Sequence, residues 1–318
     1  MTVLVTGGAG FIGRRFSRRL LDADFDVHVV DSLVAGQYPE NWAFQPKSRA
    51  KLTFIQNDCR DYFKMHASDE FELVIHCAAI VGGRLNIDGD PLAVATDLSI
   101  DAEMFNWAVR SKPSPKVIYF SSSAVYPTEL QTRQCHCALS EALVNFDTRR
   151  ISLPDMSYGW AKLSGEYLAK FAAEHYGLDV AVYRPFGGYG EDQSFDYPFP
   201  SIIKRVLDNE DPIVVWGSGD QQRDFIYIED IVDAVLQTQA LLRPAEPLNL
   251  GTGIGVSFRE LADIARDALG TGGSITNDDT KPEGVFSRVA DTAKLFEMYK
   301  PTTTLVDGIR KVAAYMRT

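Results

Sequence analysis

Tyr158 and Lys162 stand four residues apart in Tyr158-Gly-Trp-Ala-Lys162. On a helix that spacing places them one turn apart on the same face. A lysine ammonium so placed stabilises a tyrosinate. A free tyrosine ionises near pH 10, and bringing that value to about 7 takes roughly 4 kcal/mol of preferential stabilisation. Such a phenol can pass a proton to or from a sugar hydroxyl while a hydride moves to or from a nicotinamide. Upstream, Ser121-Ser122-Ser123 ends an apolar strand-like run. A hydroxyl there could hydrogen-bond the reacting oxygen and share its proton with Tyr158, or simply cap backbone groups.

Hydride chemistry needs a held dinucleotide, and the chain opens on residues suited to hold one. The apolar run Met1–Thr6 leads at once into Gly7-Gly-Ala-Gly10-Phe-Ile-Gly13 and then a helix-like stretch from Phe11 to Leu21. In a strand–turn–helix setting the three glycines allow a tight turn, close approach of backbone to pyrophosphate, and close packing of helix on strand. The helix N-terminus then presents unpaired amides and a positive dipole end to the diphosphate. A second strand, Asp26–Asp31, ends in an acid. A carboxylate there accepts hydrogen bonds from the adenosine ribose hydroxyls and repels a 2′-phosphate, which favours NAD over NADP.

The elements that must position these groups alternate. Strands are expected at Leu52–Ile55, Glu72–Ala78, Lys116–Ser121 and Asp179–Tyr183, with helices at Pro91–Arg110 and Tyr158–His175. The first of these helices shows apolar residues at Leu92, Ala95, Leu98, Ala102, Phe105 and Val109. This alternation reads as a parallel sheet covered on both faces. Beyond Arg184 the pattern changes: 185–200 is crowded with Pro, Gly and aromatic residues, and Asp196-Tyr-Pro-Phe-Pro200 reads as irregular. Helices are expected at Ser201–Leu207, Glu229–Leu242, Phe258–Leu269 and Leu305–Met316, and a strand at Pro212–Trp216.

Bulk properties narrow the partners. With 318 residues, 45% hydrophobic and 24% charged, the chain has the composition of an ordinary globular protein of one large domain or two lobes. A net charge of -11 argues against nucleic acid and anionic membranes. No apolar run is long enough to span a bilayer, and the N-terminus enters a core strand with no room for a signal peptide, so the expected location is the cytoplasm. Cys59, Cys77, Cys135 and Cys137 are scattered; Cys135-His136-Cys137 lacks a second ligand pair, so it is read as a loop and no metal is expected.

Gly7, Gly10, Gly13, Asp31, Asp58, His76-Cys-Ala-Ala79, the serines and the Tyr158/Lys162 pair together resemble the extended short-chain dehydrogenase/reductases. The resemblance covers nearly the whole chain and is to their NAD-dependent nucleotide-sugar epimerase/dehydratase branch, of the UDP-glucose 4-epimerase kind. That branch carries an Arg-Asp-Phe-Ile-Tyr-Ile-Glu-Asp run, matched by Arg223–Asp230, and an Asn-Leu-Gly-Thr-Gly run, matched by Asn249–Gly253. It implies an α/β fold with a Rossmann-type doubly wound parallel sheet and a smaller C-terminal α/β substrate lobe. Residues 1–184 would bind NAD, with later segments returning to that part, and 185–318 would mainly bind a nucleoside-diphosphate sugar.

The resemblance also assigns roles. Ser122, Tyr158 and Lys162 would be catalytic. NAD contacts would come from Gly7, Gly10, Phe11, Ile12, Gly13, Asp31, Asp58, Cys59, Ala78, Ala79, Tyr158 and Lys162. Substrate contacts would come from Val81, Gly82, Ser122, Ser123, Gly187, Arg223 and Arg288, with the two arginines on the diphosphate. A homodimer through helices near 91–110 and 157–175 is implied as well.

Departures from the family pattern select among its reactions. Ser123 and Ala124 occupy the places where the family's 4,6-dehydratases carry an Asp-Glu pair, which disfavours dehydration. The Ala78–Gly83 loop resembles 3,5-epimerases and GDP-fucose synthases, yet those place a cysteine where this chain has Ala124, so 3,5-epimerisation is disfavoured too. What remains is hydride chemistry at C4. A 4-epimerase is the favoured reading; a 4-ketosugar reductase, or a UDP-uronic acid decarboxylase with Arg84 or Arg184 near C6, is the alternative. A non-catalytic NAD-binding protein would have lost the Tyr/Lys pair. Gly187 stands where the family has Asn, which would loosen that loop, and Arg149-Arg150 reads as a solvated pair or one reaching an acidic sugar group.

Overall fold

The computed structural model describes residues 1–82, 87, 89–110, 112–148 and 150–318. Six runs rich in Val and Ile form strands β1 (Thr2–Thr6), β2 (Asp26–Asp31), β3 (Leu52–Gln56), β4 (Leu73–His76), β5 (Lys116–Phe120) and β6 (Val180–Pro185). All pair in parallel, in the order β3-β2-β1-β4-β5-β6. This is the doubly wound order, whose switch point lies between β1 and β4 at the carboxyl edge of the sheet.

Further on come β7 (Gly187–Tyr189), β8 (Ile213–Trp216), β9 (Gln222–Tyr227) and β10 (Pro247–Leu250). β10 returns to the first sheet and pairs in parallel with β6, making seven strands. β11 (Gly255–Ser257) and β13 (Ser287–Arg288) flank β9, which β7 also joins, while β12 (Ile275–Asp278) pairs with β8.

The helices that bear on the site are α1 (Gly13–Asp22), α2 (Cys59–Met65), α3 (Pro91–Val94), α4 (Thr96–Ala108) and α5 (Met156–Tyr176). Later ones are α6 (Pro198–Leu207), α7 (Ile228–Thr238), α8 (Phe258–Leu269), α9 (Ala293–Phe296) and α10 (Leu305–Met316). Because successive strand residues face opposite sides of a sheet, β1 and β5 feed two cores. Val3, Val5, Ile118 and Phe120 pack with Phe16 of α1 and Ile231 of α7. Leu4, Val117 and Tyr119 pack on the other face with Met104 of α4 and Ala169 of α5. Burial on both faces explains why these strands read as continuous apolar runs.

Three expectations are corrected. The helix expected over Pro91–Arg110 breaks at Ala95 into α3 and α4, and in its first half the expected apolar positions are not the buried ones. Leu92 and Leu98 are 80% and 42% exposed, while Asp97 and Asp101 are sealed inside. Those carboxylates find buried polar partners, which is what makes their burial tolerable. Second, the segment Asp196–Pro200 is irregular only as far as Tyr197, since α6 begins at Pro198. Pro198 and Pro200 sit in the first turn of α6, where no intrahelical amide is lost. Third, Gly187 does not loosen a loop. It lies in β7 opposite Phe225, and a Cβ there would stand 2.7 Å from the Asp224 carbonyl oxygen. Glycine is required by close approach of the two strands.

Candidate active site

At the carboxyl end of β1, Gly7 adopts φ +65°, and a Cβ on it would lie 2.6 Å from the Ala78 amide nitrogen. The glycine turn therefore rests directly against the loop that follows β4, which carries Ala78 and Ala79. Gly13 opens α1 so close to the turn that its Cβ would lie 2.2 Å from the Gly7 oxygen, with Gly10 bridging the two through its amide to the Gly7 oxygen at 3.1 Å. Ile12 caps the helix with no side-chain hydrogen bond, and no acid lies in the first turn. The dipole end of α1 is thus left for an anion. The Phe11 ring lies under the Arg15 guanidinium at 4.3 Å.

Asp31 closes β2 beside this turn, accepting the Ala9 amide at 3.0 Å and the Leu33 amide at 2.8 Å. Asp58 caps α2 by accepting the Arg60 amide and also pairs with the Arg60 guanidinium at 2.6 Å, which holds its carboxyl below the usual range. The adjoining Cys59 thiol is pushed up to about 12 by burial.

Among the three serines the structure distinguishes sharply. Ser121 gives its hydroxyl to buried Glu166, and Ser123 is buried in a 3-10 turn, Ser123–Val125. Ser122 caps that turn, accepting the Ala124 amide at 3.1 Å, and its hydroxyl helps pull the Tyr158 phenol down. Lys162, one turn on, is buried with its Nζ 3.7 Å from Asp101 Oδ2. Burial raises the Tyr158 phenol above its ordinary value although Lys162 pulls it down. Lys162 acts in the expected direction, but burial and the negative charges of Asp97 and Asp101 outweigh it.

Arg223 and Arg288 are direct partners on parallel strands β9 and β13. Arg223 donates to the Val285 carbonyl at 3.0 Å and lies over Phe258. Arg288 binds Gln131 and, at 2.7 Å, Asp155, the residue that precedes α5 and hence Tyr158. Val81 is exposed and Gly82 half-buried after β4. Gly83, Arg84 and Arg149 lie outside the described residues.

The sequence profile of the NAD-dependent epimerase/dehydratase family matches residues 3–251. The chain belongs to this family. It is 26% identical to a Thermotoga maritima UDP-glucose 4-epimerase solved with UDP-glucose, with a TM-score of 0.84 over 100% of this chain and 99% of that one. A Bacillus cereus UDP-glucuronic acid 4-epimerase, solved with UDP-glucuronic acid and NAD, is 26% identical with a TM-score of 0.83 over 100% and 99%. A dTDP-4-dehydro-6-deoxy-D-allose reductase of Streptomyces bikiniensis is 28% identical over 99% of this chain and 96% of its own length.

Like other members of the epimerase/dehydratase family, the chain uses NAD. Its residues fit the cofactor: the glycine turn admits backbone where any side chain would collide, the first turn of α1 carries neither an acid nor a side-chain cap, and Asp31 is fixed at the end of β2. Among the described residues no helix is long and apolar enough to cross a membrane.

One candidate is removed. Arg184, considered for a sugar carboxylate, is 1% exposed and bound to Glu166 at 2.6 Å and to the Tyr126 hydroxyl at 3.0 Å. Its charge is already used inside the fold. The residues that sequence reasoning missed are Asp97 and Asp101, which bring two carboxylates beneath Tyr158 and Lys162. Their spacing of four on a helix was a signal, masked by the apolar residues around them.

Proposed function

We propose that this chain is a nucleoside-diphosphate-sugar 4-epimerase that works through a transient 4-keto sugar. The observation that carries the reading is the Ser122–Tyr158–Lys162 grouping beside the glycine turn, with Ser123 and Ala124 where elimination chemistry would need carboxylates. NAD supplies a site that takes up a hydride and gives it back. Tyr158, as tyrosinate, takes the proton of the C4 hydroxyl, and Ser122 holds the same oxygen through its hydroxyl. Lys162 keeps the tyrosinate charge tolerable. After the keto sugar turns over in the cleft, Tyr158 returns the proton to the oxygen on the opposite face, so no net redox change remains.

Arg223 and Arg288, side by side on β9 and β13, would bind the diphosphate and leave the sugar free to rotate about its anomeric linkage. A homodimer through α4 and α5 is part of the proposal. An apolar groove there, lined by Phe105, Val109, Leu168 and Phe171, supports it. The burial of Arg184 weighs against a uronic acid decarboxylase. A one-way 4-ketosugar reductase is the second reading, favoured by the similarity to the Streptomyces bikiniensis reductase over nearly the whole of both chains.

A proton NMR time course with UDP-, dTDP-, GDP- and CDP-sugars tests the reading. Appearance of the C4 epimer without net NADH supports it. Conversion only of 4-keto sugars, with stoichiometric use of NADH, replaces it with the reductase.

A further inference from the structure

We infer that Asp97 is a positioning residue of the catalytic centre: the charge of its buried carboxyl sets how much of the Lys162 field is left to stabilise tyrosinate at Tyr158. The inference rests on Tyr158 and Lys162 being the reacting pair, and holds for an epimerase or a reductase alike.

Asp97 is fully buried on α4. One of its oxygens accepts the Ile80 amide at 2.5 Å, which ties α4 to the loop after β4. Its other oxygen is buried and, among the described residues, has no hydrogen-bond partner. A carboxylate oxygen stripped of both water and donors is the most expensive form of this group, and the neutral acid is the cheaper one. Burial accordingly pushes the carboxyl up to about 6, with Lys162 pulling the other way.

One turn further along α4, Asp101 faces the same ammonium but in a different environment. It accepts from the Tyr119 hydroxyl at 2.5 Å and contacts His76 Nε2 at 3.2 Å, and lies 3.7 Å from Lys162 Nζ. Burial pushes this carboxyl up, but Lys162, His76 and Tyr119 together hold it below its ordinary value. Asp101 is therefore the standing counterion of Lys162. The space it occupies with Tyr119 exists because position 165 on α5 is glycine; a Cβ there would sit 1.8 Å from the Tyr119 hydroxyl.

The charge count then decides the chemistry. One ammonium and one carboxylate already balance in this buried region. A charged Asp97 adds a second negative group, and a charged Tyr158 would add a third. Asp97 and Tyr158 thus share what remains of the Lys162 field: both hold the ammonium charged, and Asp97 raises Tyr158. Among the described residues the other titratable neighbours are His76, which burial keeps neutral, and the Cys77 thiol and the Tyr119 and Tyr197 phenols, which burial pushes up. None of these supplies a further positive charge. A charged Asp97 makes tyrosinate at Tyr158 costlier, and removing that charge makes it cheaper.

Asp97→Asn separates this role from a merely structural one, because the amide oxygen can still accept from the Ile80 amide while the charge is gone. The readout is the tyrosinate difference absorbance of the free and the NAD-loaded protein, followed from neutral to alkaline pH. Tyr158 is isolated by subtracting the same titration in the Tyr158→Phe background. The midpoint of Tyr158 is expected to fall by about one pH unit in Asp97→Asn, with NAD affinity unchanged. An unshifted midpoint overturns the inference. Should Asp97→Asn fail to fold, Asp97→Ser is titrated in its place, and an unshifted midpoint there overturns it equally. Retention of turnover by Tyr158→Phe would instead remove the catalytic assignment beneath it, a failure the titration does not share.

Discussion

The Lys162 ammonium lies 3.7 Å from the Asp101 carboxylate, with the two side chains only 3% and 1% exposed. A surface pair at that distance would contribute little, but here neither group can recover its hydration if the other is removed. Asp101→Asn is expected to destabilise the protein by about 3–5 kcal/mol through the uncompensated ammonium. The double variant Asp101→Asn with Lys162→Met is expected to regain a large part of that loss. Denaturant unfolding of the single and double variants checks both values.

Asp97 makes the opposite contribution to stability. Its folded carboxyl, raised to about 6 from 3.8, binds a proton more tightly than the unfolded chain does. Between those two values the folded state holds more protons, so this group's contribution improves as the pH falls; above about 6 it imposes its full penalty. Asp97→Asn is expected to be more stable than the wild type by roughly 2–3 kcal/mol at pH 7. That advantage should shrink as the pH drops through 6 and disappear below the ordinary carboxyl range. Unfolding midpoints across this pH series test it, and an advantage independent of pH would contradict it.

How far the site could be read from sequence depended on whether its parts are local. The glycine turn, Asp31 and the Tyr158/Lys162 pair are set by spacing within a single strand–turn–helix or a single helix, so their chemistry was visible in the residues themselves. The helix at 91–110 failed for the opposite reason. Asp97 and Asp101 are buried because Lys162, His76, Tyr119 and the Ile80 amide come to them from other elements, and their spacing of four on one helix does not name those partners. Gly187 and Arg184 misled in the same way. The first is glycine because Asp224 of β9 passes within contact distance, and the second spends its charge on Glu166 of α5.

The two arginines should separate kinetically. Arg223→Met is expected to raise KM for the nucleotide sugar about 10- to 100-fold, the effect of losing hydrogen bonds to a charged group, with kcat little changed. Arg288→Met should raise KM similarly and also lower kcat, because Arg288 holds Asp155 at the head of the helix that carries Tyr158. NAD affinity should be unaltered in both. Unchanged KM in both variants would remove the diphosphate assignment.

The most direct test of the proposed C4 hydride chemistry is proton NMR of the conversion carried out in D2O. The hydrogen leaving C4 as hydride returns to C4 of the same sugar without meeting solvent. The expected result is inversion at C4 with no deuterium at C3, C4 or C5 of the product, abolished in Tyr158→Phe. Deuterium entering at C3 or C5 would mean proton abstraction at carbon and would contradict the account.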